Sequence, residues 1–256
     1  MPIVHQSKPQ DQISAQGPEF EGALLTIDQL SYSYPDGHQA LHEITLQIPR
    51  GEKAAIVGPN GAGKSTLMLH LNGIIQGQGE ICVDGLPVVK DNLPIIRGKV
   101  GLVFQNPDDQ LFSPTVFEDV AFGPLHMGLP EEKIFIHVEE ALNQVGMREY
   151  AERLSHHLSV GEKKRIAIAT VLAMKPEILV LDEPSAGLDP RARRSLITLL
   201  QEMPITMLIS THDMGLVAEL LPRMIIMDQG HIVADGPTDG LLADEDLLEQ
   251  HGLERP

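Results

Sequence analysis

The glycine-rich segment GPNGAGKS at residues 58–65 constrains the fold of this chain more than any other feature. It has the spacing G-x-x-x-x-G-K-[ST], follows the apolar segment Lys53–Val57 and precedes Thr66–Leu71, which can continue as a helix. Glycines let backbone N–H groups converge on a phosphate, and the N-terminus of the following helix adds partial positive charge. The sequence therefore predicts a strand, a phosphate-binding loop and a helix in that order.

Two side chains of this loop have specific expected roles. Lys64 is expected to bring a positive charge to the β- and γ-phosphates of a nucleotide, and Ser65 to offer a hydroxyl ligand to a magnesium ion. A plain glycine-rich turn is the alternative interpretation, which the flanking strand and helix disfavour. The residues expected to contact the nucleotide here are Gly58, Asn60, Gly61, Gly63, Lys64, Ser65 and Thr66.

Two adjacent carboxylates, Asp182 and Glu183, follow the apolar segment Ile178–Leu181. Neighbouring residues at a strand end point in different directions, so they suit separate tasks. We expect Asp182 to reach the magnesium ion, directly or through water, and Glu183 to act on the attacking water as a base. An Asp-Glu pair alone is usually a solvated surface pair. Together with the phosphate-binding loop, it predicts hydrolysis of the terminal phosphate of ATP.

The segment Leu158–Glu162 opens a further predicted helix, and two interpretations of it stay open. In the first, Ser159 caps the helix together with Glu162 three residues on, which is a capping box. In the second, the Ser159 hydroxyl and the Gly161 amide form another phosphate site at a helix N-terminus.

Composition limits the partners of the chain. With 19 Lys and Arg against 36 Asp and Glu, the net charge is −17, so the surface should repel nucleic acid. Only 4% of the residues are aromatic, which leaves few stacking platforms for bases. Residues 1–22 are expected to be a disordered tail, because they are rich in Gln, Ser and Pro. Residues 1–21 are polar and lack the apolar core of a signal peptide. No apolar run reaches the roughly 20 residues that a membrane helix needs.

The hydrophobic periodicity divides the rest of the chain into three parts. Strands are predicted first at Leu24–Tyr34, Ala40–Ile48, Lys53–Val57, Glu80–Val83 and Val100–Phe104. Residues 116–174 then change to helical spacing, with helices at Glu131–Val145 and Gly161–Met174. Strands return at Ile178–Leu181, Thr206–Ser210 and Met224–Met227, with a helix at Arg191–Met203. Strands that alternate with helices predict a parallel, doubly wound sheet.

The order of these motifs resembles the ATPase cassette of ABC transporters. The resemblance rests on Leu-Ser-x-Gly-Glu ahead of a basic helix, followed at close range by Asp182-Glu183-Pro184, and it covers roughly residues 24–237. It implies an α/β fold: a P-loop NTPase (RecA-like) core with an N-terminal antiparallel β subdomain and an inserted α-helical subdomain at about 106–174. The ATPase domain would span 23–240, and 241–256 would be a C-terminal helical tail.

Further site residues follow from the resemblance alone. Tyr34 matches the aromatic residue that stacks on adenine, and Gln105 matches the glutamine that senses magnesium and the transporter. Asp189 matches the loop that signals across a dimer, and His212 matches the histidine at the γ-phosphate. Two positions depart from the usual pattern, namely Val160, where glycine is usual, and Glu162, where glutamine is frequent. Because a positive φ would strain valine, we expect an ordinary backbone at Val160.

A finer resemblance concerns the kind of transporter. The segments FQNPDDQLF at 104–112 and EDVAFGP at 118–124 are similar to ATPases of energy-coupling factor transporters, with the cobalt and nickel members nearest. Asp108 and Asp109 form either an acidic groove for an arginine of a membrane subunit or a solvated turn. The implied partners are ATP with Mg²⁺, a second ABC ATPase subunit (homodimer or heterodimer) and integral membrane subunits at the cytoplasmic face of the membrane.

Four other functions compete with this interpretation. One is an assembly scaffold that takes no part in transport, which the transporter-like segment 105–124 does not favour. Another ABC importer, for a vitamin or other micronutrient, would carry the same cassette. An ABC ATPase that moves no substrate usually has two cassettes or long coiled-coil insertions, and this sequence has neither. A P-loop kinase or GTPase would not need Ser159–Glu162 or His212.

Overall fold

The computed structural model of the protein describes residues 22–256, so the predicted disordered tail lies outside the described residues except for Gly22. The strands are β1 (Ala23–Ser33), β2 (Gln39–Pro49), β3 (Lys53–Val57), β4 (Gln78–Val83), β5 (Leu86–Pro87), β6 (Val100–Val103), β7 (Ile178–Asp182), β8 (Thr206–Ser210), β9 (Arg223–Asp228) and β10 (His231–Pro237). The helices are α1 (Lys64–Leu71), α2 (Leu93–Lys99), α3 (Val116–His126), α4 (Glu131–Gln144), α5 (Val160–Leu172), α6 (Pro190–Glu202), α7 (Met214–Leu220), α8 (Thr238–Leu242) and α9 (Glu245–Gln250).

The strands form two sheets. An antiparallel sheet has the order β2-β1-β4-β5, and a six-stranded sheet has the order β10-β9-β3-β8-β7-β6. The five strands from β9 to β6 are parallel, as the sequence predicts. The sequence analysis did not predict β10, which pairs with β9 in the antiparallel sense. The reason is the two-residue turn between them: Gln229 and Gly230 have φ of 45° and 77°, which is the signature of a tight hairpin.

The central strands are buried on both faces, and their side chains alternate between two hydrophobic cores. Ala54 and Ile56 of β3 pack with the antiparallel sheet and α1, whereas Ala55 and Val57 pack on the side of the longer helices. Such strands form nearly continuous apolar runs, which is why β3 and β7 were recognisable from sequence. The phosphate-binding loop therefore leaves a strand that is held from both sides.

Helices α3, α4 and α5 pack against each other in the middle of the chain. Their contact is made by apolar residues at helical spacing, with Val120 on α3, Val138 on α4 and Ile166 on α5 all buried. α3 contains Pro124 near its end, and a capping box formed by Thr115 and Glu118 fixes its start. At the N-terminus of α5, Ser159 and Val160 are exposed at the surface.

The sequence did not reveal α2, because Pro94 in its first turn and Gly98 near its end obscure the periodicity over only seven residues. α8 begins at Thr238, ahead of the predicted start of a tail at 241. The segment that follows lies against the main domain, since Leu248 and Leu253 are buried in the core under the longer helices. Within residues 22–256, every helix is too short or too polar to cross a membrane.

Candidate ATP-binding and hydrolysis site

The loop between β3 and α1 has a backbone that only glycine accommodates. Gly58, Gly61 and Gly63 have φ of 149°, 84° and 98°. A Cβ atom on Gly58 would lie 2.0 Å from the carbonyl oxygen of Met227, and one on Gly63 would lie 2.7 Å from that of Ala40. The glycines are therefore required by φ and by close backbone contacts, and they leave the inner edge of the loop to N–H groups.

Lys64 begins α1 and is 7% exposed. Its Nζ donates to the carbonyl oxygens of Gly58 and Pro59, at 2.7 and 3.0 Å, so the side chain folds back over the loop. Burial lowers the pKa of this ammonium group, and the charges of Glu183 and Asp182 act in the opposite sense. The loop thus presents a positive charge that faces two carboxylates.

Those two carboxylates have different partners at the carboxyl end of β7. Asp182 Oδ1 accepts a hydrogen bond from Ser210 Oγ at 2.6 Å. Glu183 has a positive φ of 45°, is 7% exposed, and donates its N–H to the Ser210 carbonyl oxygen at 2.9 Å. Its Oε2 lies 2.9 Å from Nδ1 of His212 and accepts from the His212 backbone N–H at 3.3 Å. The Glu183 carboxylate is therefore held beside His212, separately from Asp182.

One cleft of about 420 Å³ brings most of the predicted nucleotide site together. The predicted residues that line it are Tyr34, Asn60, Gly61, Gly63, Lys64, Ser65, Thr66, Gln105, Glu183 and His212. Gly58 and Asp182 adjoin it through their contacts with Lys64 and Ser210. Tyr34, which is 37% exposed, touches the loop helix directly, because its hydroxyl lies 2.9 Å from Oγ1 of Thr66. Residues more than 170 positions apart thus face one cavity.

Three predicted residues lie elsewhere. Among residues 22–256, the lining of this cleft does not include Ser159, Gly161 or Asp189. These three are close to one another instead: Asp189 caps α6 by accepting from the Ala192 N–H at 2.8 Å, and a Cβ on Gly161 would lie 3.2 Å from Cβ of Ala192. They form a second surface, which we call the Ser159 surface.

The start of α5 is a capping box, as the first of the two interpretations predicts. Ser159 Oγ accepts from the Glu162 N–H at 3.4 Å, while Glu162 Oε2 accepts from the Ser159 N–H and hydroxyl at 2.8 and 2.7 Å. The hydrogen bonds from Ser159 lower the pKa of the Glu162 carboxyl below its ordinary value. Val160 begins the helix with an ordinary helical backbone and is 50% exposed.

The sequence analysis did not give a role to Lys164, Ser210 or His38, which the structure places at the site. His38 lines the cleft, and Ser210 holds Asp182. Lys164 is buried, and its Nζ donates to the carbonyl oxygens of Glu183 and Gln105. A signal for Lys164 existed: it lies four residues before Ile168 on the buried face of α5.

The predicted acidic groove near Gln105 is partly closed by a local ion pair. Asp108 Oδ1 lies 2.6 Å from Nζ of Lys163, and the Asp108 N–H donates to the Asn106 side chain at 3.2 Å. The Asp108 side chain nevertheless remains 62% exposed. The turn is therefore built from its own hydrogen bonds and still presents a carboxylate to solvent.

A glycine loop after the buried strand β3, an Asp-Glu pair at the end of β7, which is separated from β3 by β8, and an inserted helical bundle together define a P-loop ATPase of the cassette type. A family model described as ABC transporter matches residues 41–186. The chain belongs to the ABC transporter family and is an ATP-binding, ATP-hydrolysing cassette.

Two relatives are similar over most of this chain. A putative ABC transporter ATP-binding protein of Gloeobacter violaceus is 57% identical over 91% of this chain and 96% of its own length. The energy-coupling factor transporter ATP-binding protein EcfA of Methanothermobacter thermautotrophicus is 51% identical over 91% of this chain and 77% of its own length.

Two solved structures share the fold. CbiO1 from Clostridium perfringens, described as part of the ABC transporter complex CbiONQ, has a TM-score of 0.79 and 40% identity, over 90% of this chain and 94% of that one. The ATP-binding cassette MJ0796, solved as a dimer in a post-hydrolysis state with ADP and Pi, has a TM-score of 0.75 and 26% identity, over 84% and 98%. The predicted fold, with its antiparallel sheet beside a P-loop core and its helical insertion, is confirmed.

Proposed function

We propose that this chain is the ATP-hydrolysing subunit that energises a membrane importer of the energy-coupling factor type, with cobalt or nickel ions as the cargo. The observation that carries the transporter type is the similarity to EcfA over 91% of the chain. The similarity to CbiO1 supports the same type. The cobalt and nickel cargo rests on the segments 104–112 and 118–124, which resemble that group.

The proposed nucleotide contacts follow the lining of the cleft. The Tyr34 ring stacks on adenine. The backbone amides that donate to the phosphates at the N-terminus of α1 are those of Asn60, Gly61, Gly63, Lys64, Ser65 and Thr66. Lys64 exchanges its bonds to Gly58 and Pro59 for bonds to the β- and γ-phosphates, for which its buried charge is already placed. Through this exchange, nucleotide binding changes the hydrogen bonds within the loop.

The oxygen donors at the cleft fit a magnesium ion. Mg²⁺ is usually held by one or two carboxylates or hydroxyls together with substrate phosphates, and not by an all-protein cage. We assign Ser65, Gln105 and Asp182 as its ligands, with Asp182 oriented by Ser210. When bound, the ion neutralises charge on the transferred phosphoryl group.

Glu183 is the proposed base for the attacking water, and His212 is proposed to contact the γ-phosphate. The carboxylate is held by His212 at 2.9 Å and faces the cleft that Lys64 lines. Gln105 lines the same cleft and completes the catalytic set. Because Asp182 is engaged by Ser210, the two carboxylates can act on metal and water independently.

The site is completed by a second ABC ATPase subunit, either a copy of this chain or a related one. The Ser159 surface does not line the cleft of its own chain among the described residues, yet Ser159 and Val160 are exposed. A head-to-tail partner would bring its Ser159 and Gly161 to the γ-phosphate at Lys64 and Ser65, with Asp189 at the contact. The dimeric state described for MJ0796 supports this arrangement.

The membrane partners dock at the loop after β6 and the helical bundle, at the cytoplasmic face of the membrane. Gln105 and Asp108 are exposed there, and Phe112 and Phe122 form an exposed aromatic pair with ring centroids 4.9 Å apart. Exposed apolar groups beside carboxylates suit a membrane subunit that offers an amphipathic segment with an arginine. Nucleic acid is not a partner, given the net charge of −17.

The test is transport by the intact complex. The complex is purified from membranes, its partner chains are identified, and it is reconstituted into vesicles to measure ATP-dependent uptake of cobalt, nickel and a set of vitamins. A complex with Glu183→Gln serves as the control for uptake driven by hydrolysis. We expect cobalt or nickel uptake in the wild-type vesicles only. Uptake of a vitamin instead would reassign the cargo, and recovery of the chain only in soluble complexes would contradict the importer function.

A further inference from the structure

Lys164 is a buried cation that joins three parts of the site. It is 5% exposed, and its Nζ donates to the Glu183 carbonyl oxygen at 2.9 Å and to the Gln105 carbonyl oxygen at 3.2 Å. It lies in the second turn of α5, the helix that begins at the Ser159 surface. One side chain therefore connects the start of α5, the loop after β6 and the proposed base.

The backbone of Glu183 needs such support. A non-glycine residue with a positive φ is strained, and it persists only where its surroundings hold it. The Glu183 N–H is fixed by the Ser210 carbonyl oxygen at 2.9 Å, and its own carbonyl oxygen accepts from Lys164 Nζ at 2.9 Å and from the Ala186 N–H at 3.2 Å. Loss of the Lys164 contact would leave only the Ala186 N–H on this carbonyl oxygen, so the Glu183 backbone and its carboxylate would be held less firmly.

The loop that carries Gln105 is fastened to α5 at neighbouring points as well. Gln110 Nε2 donates to the Ala167 carbonyl oxygen at 2.8 Å and to Thr170 Oγ1 at 2.7 Å, while its Oε1 accepts from the Phe104 N–H at 3.2 Å. These bonds hold the loop against α5. Among these links, only the one through Lys164 continues to Glu183.

Burial of the charged Lys164 ammonium group costs free energy of desolvation. Burial lowers the pKa of its ammonium group, and the charges of Glu183 and Asp182 oppose that shift. A methionine of similar volume would avoid the desolvation of a cation, so packing alone does not require lysine here. The neighbouring Lys163 differs, because it pairs with the exposed Asp108.

We propose that Lys164 is a positioning residue for hydrolysis: it fixes the Glu183 backbone to α5 and to the Gln105 loop, so that the carboxylate takes its productive position only when α5 is correctly seated. The inference rests on the proposed function of Glu183. It assigns to Lys164 no contact with ATP, and it predicts an effect on turnover without a matching effect on nucleotide binding.

The test compares Lys164→Met with Lys163→Met in the full chain. For Lys164→Met we expect kcat for ATP hydrolysis to fall by about 10- to 100-fold, since small misplacement of a reacting group has effects of that size. KM for ATP and the affinity for ATP should stay within about twofold of wild type. Lys163→Met, which removes a cation one residue away, should keep kcat within about twofold. Lys164→Gln, which retains hydrogen-bond donors without the charge, should recover part of the loss.

The outcomes distinguish the positioning role of Lys164 from the proposed function of the chain. A wild-type kcat in Lys164→Met would overturn the positioning role. So would a loss of ATP affinity in this variant as large as its loss of kcat. Either result would leave the ATPase assignment intact. Failure of both Lys164→Met and Lys164→Gln to fold, measured by thermal unfolding, would make Lys164 a purely structural residue and would also overturn it. A wild-type complex that does not hydrolyse ATP would overturn the proposed function itself, and this inference with it.

Discussion

The N-termini of α1 and α5 are both candidates for binding the same phosphate, yet they are built in opposite ways. α1 is capped by Gly63 in a left-handed conformation, makes no side-chain cap hydrogen bond, and has no acidic residue in its first turn. α5 is capped by Ser159 in a complete capping box and carries Glu162 in its first turn. The first terminus leaves its N–H groups to a ligand, whereas the second already satisfies one of its own with a side chain.

The difference indicates an order of events. A phosphate at α1 meets free amides and the charge of Lys64, so this terminus can bind nucleotide in a single chain. Under the proposed function, a phosphate at α5 would compete with Glu162 for the Ser159 hydroxyl, so this terminus would bind a nucleotide only when a partner presents one to it. Binding at α1 and recognition at α5 are thus separable, and substitutions can test each.

The largest expected effect comes from a substitution that prevents hydrolysis and leaves the N-termini of α1 and α5 unchanged. Glu183→Gln should reduce turnover by about a hundredfold or more, because the amide cannot take the proton of the attacking water. ATP affinity should remain at the wild-type level, so the variant would retain ATP at α1 and stay engaged at α5. Single-turnover hydrolysis and nucleotide binding measure the two quantities. Near-normal turnover would remove Glu183 from the role of base.

Loss of the α1 charge is expected to have the next largest effect. Lys64→Ala should weaken ATP binding by about 3 kcal/mol, roughly a hundredfold in Kd, because it removes charge-assisted bonds to the phosphates. The matched substitution at the other terminus, Ser159→Ala, should leave the Kd of a single chain unchanged. Calorimetric titration below the concentration of dimerisation checks both. An equal loss of ATP affinity in Lys64→Ala and Ser159→Ala would contradict the proposal that a single chain binds ATP at α1 and not at α5.

Blocking α5 should affect assembly without affecting single-chain binding. Ser159→Arg places a bulky cation where it would meet Lys64 of the partner, so ATP-dependent dimerisation should weaken by at least about tenfold. Analytical ultracentrifugation with ATP, in the Glu183→Gln background, measures it. A nucleotide-trapped dimer of the Ser159→Arg chain would refute the composite site.

Removing the charge of the α5 capping box should have a smaller effect of the opposite sign. Glu162→Gln keeps an acceptor for the Ser159 N–H but removes a carboxylate that would face the γ-phosphate. Since the Glu162 side chain is partly exposed, we expect the free energy of ATP-dependent dimerisation to become more favourable by at most about 1 kcal/mol. This corresponds to an increase of up to about fivefold in dimer affinity. The same ultracentrifugation series measures it. Weaker assembly would mean that Glu162 helps to bind the nucleotide.

The smallest effect concerns the stability of the capping box. Ser159→Ala should lower the free energy of unfolding by about 1 kcal/mol, and Thr115→Ala, in the matched capping box of α3, by a similar amount.

Because the Glu162 pKa is lowered in the folded state, the contribution of this carboxylate to stability is present above the ordinary glutamic acid pKa and is lost as the pH falls through the folded value. Denaturation of wild type and Glu162→Gln between neutral and acidic pH should therefore converge at low pH.

Thr115→Ala also serves as the control for function. It removes the same kind of cap from a helix that lies outside the cleft and the Ser159 surface. ATP-dependent assembly should be unaffected in this variant and reduced in Ser159→Ala. An equal reduction in both would attribute the effect to general destabilisation.

Features carried by a few consecutive residues were predictable from sequence. The loop at 58–65, the carboxylates after β7 and the capping box at Ser159 each depend on chemistry within eight residues, and the structure contains all three in the predicted positions. The roles assigned to them in catalysis remain predictions. The hairpin of β9 and β10 was missed because Gln229-Gly230 is an unremarkable pair until its φ values are known.

Features that depend on distant contacts were not predictable. Lys164 reads as one of three basic residues at the start of α5, and its partners lie 19 and 59 residues away. Likewise, nothing local to Glu183 indicates its positive φ, which depends on Ser210 of the adjacent strand. Helical spacing indicates that Lys164 lies on the buried face of α5. Its partners depend on packing between α5, the loop after β6 and β7, which periodicity along one segment does not encode.

The separation of the Ser159 surface from the cleft has a kinetic consequence. If each ATP needs residues of two chains, hydrolysis by free subunits depends on the square of their concentration and becomes negligible when they are dilute. Membrane subunits that hold two chains side by side would replace that collision by an effective concentration in the millimolar range. ATP would then be consumed almost entirely by assembled transporters, so unassembled subunits would cause little idle hydrolysis.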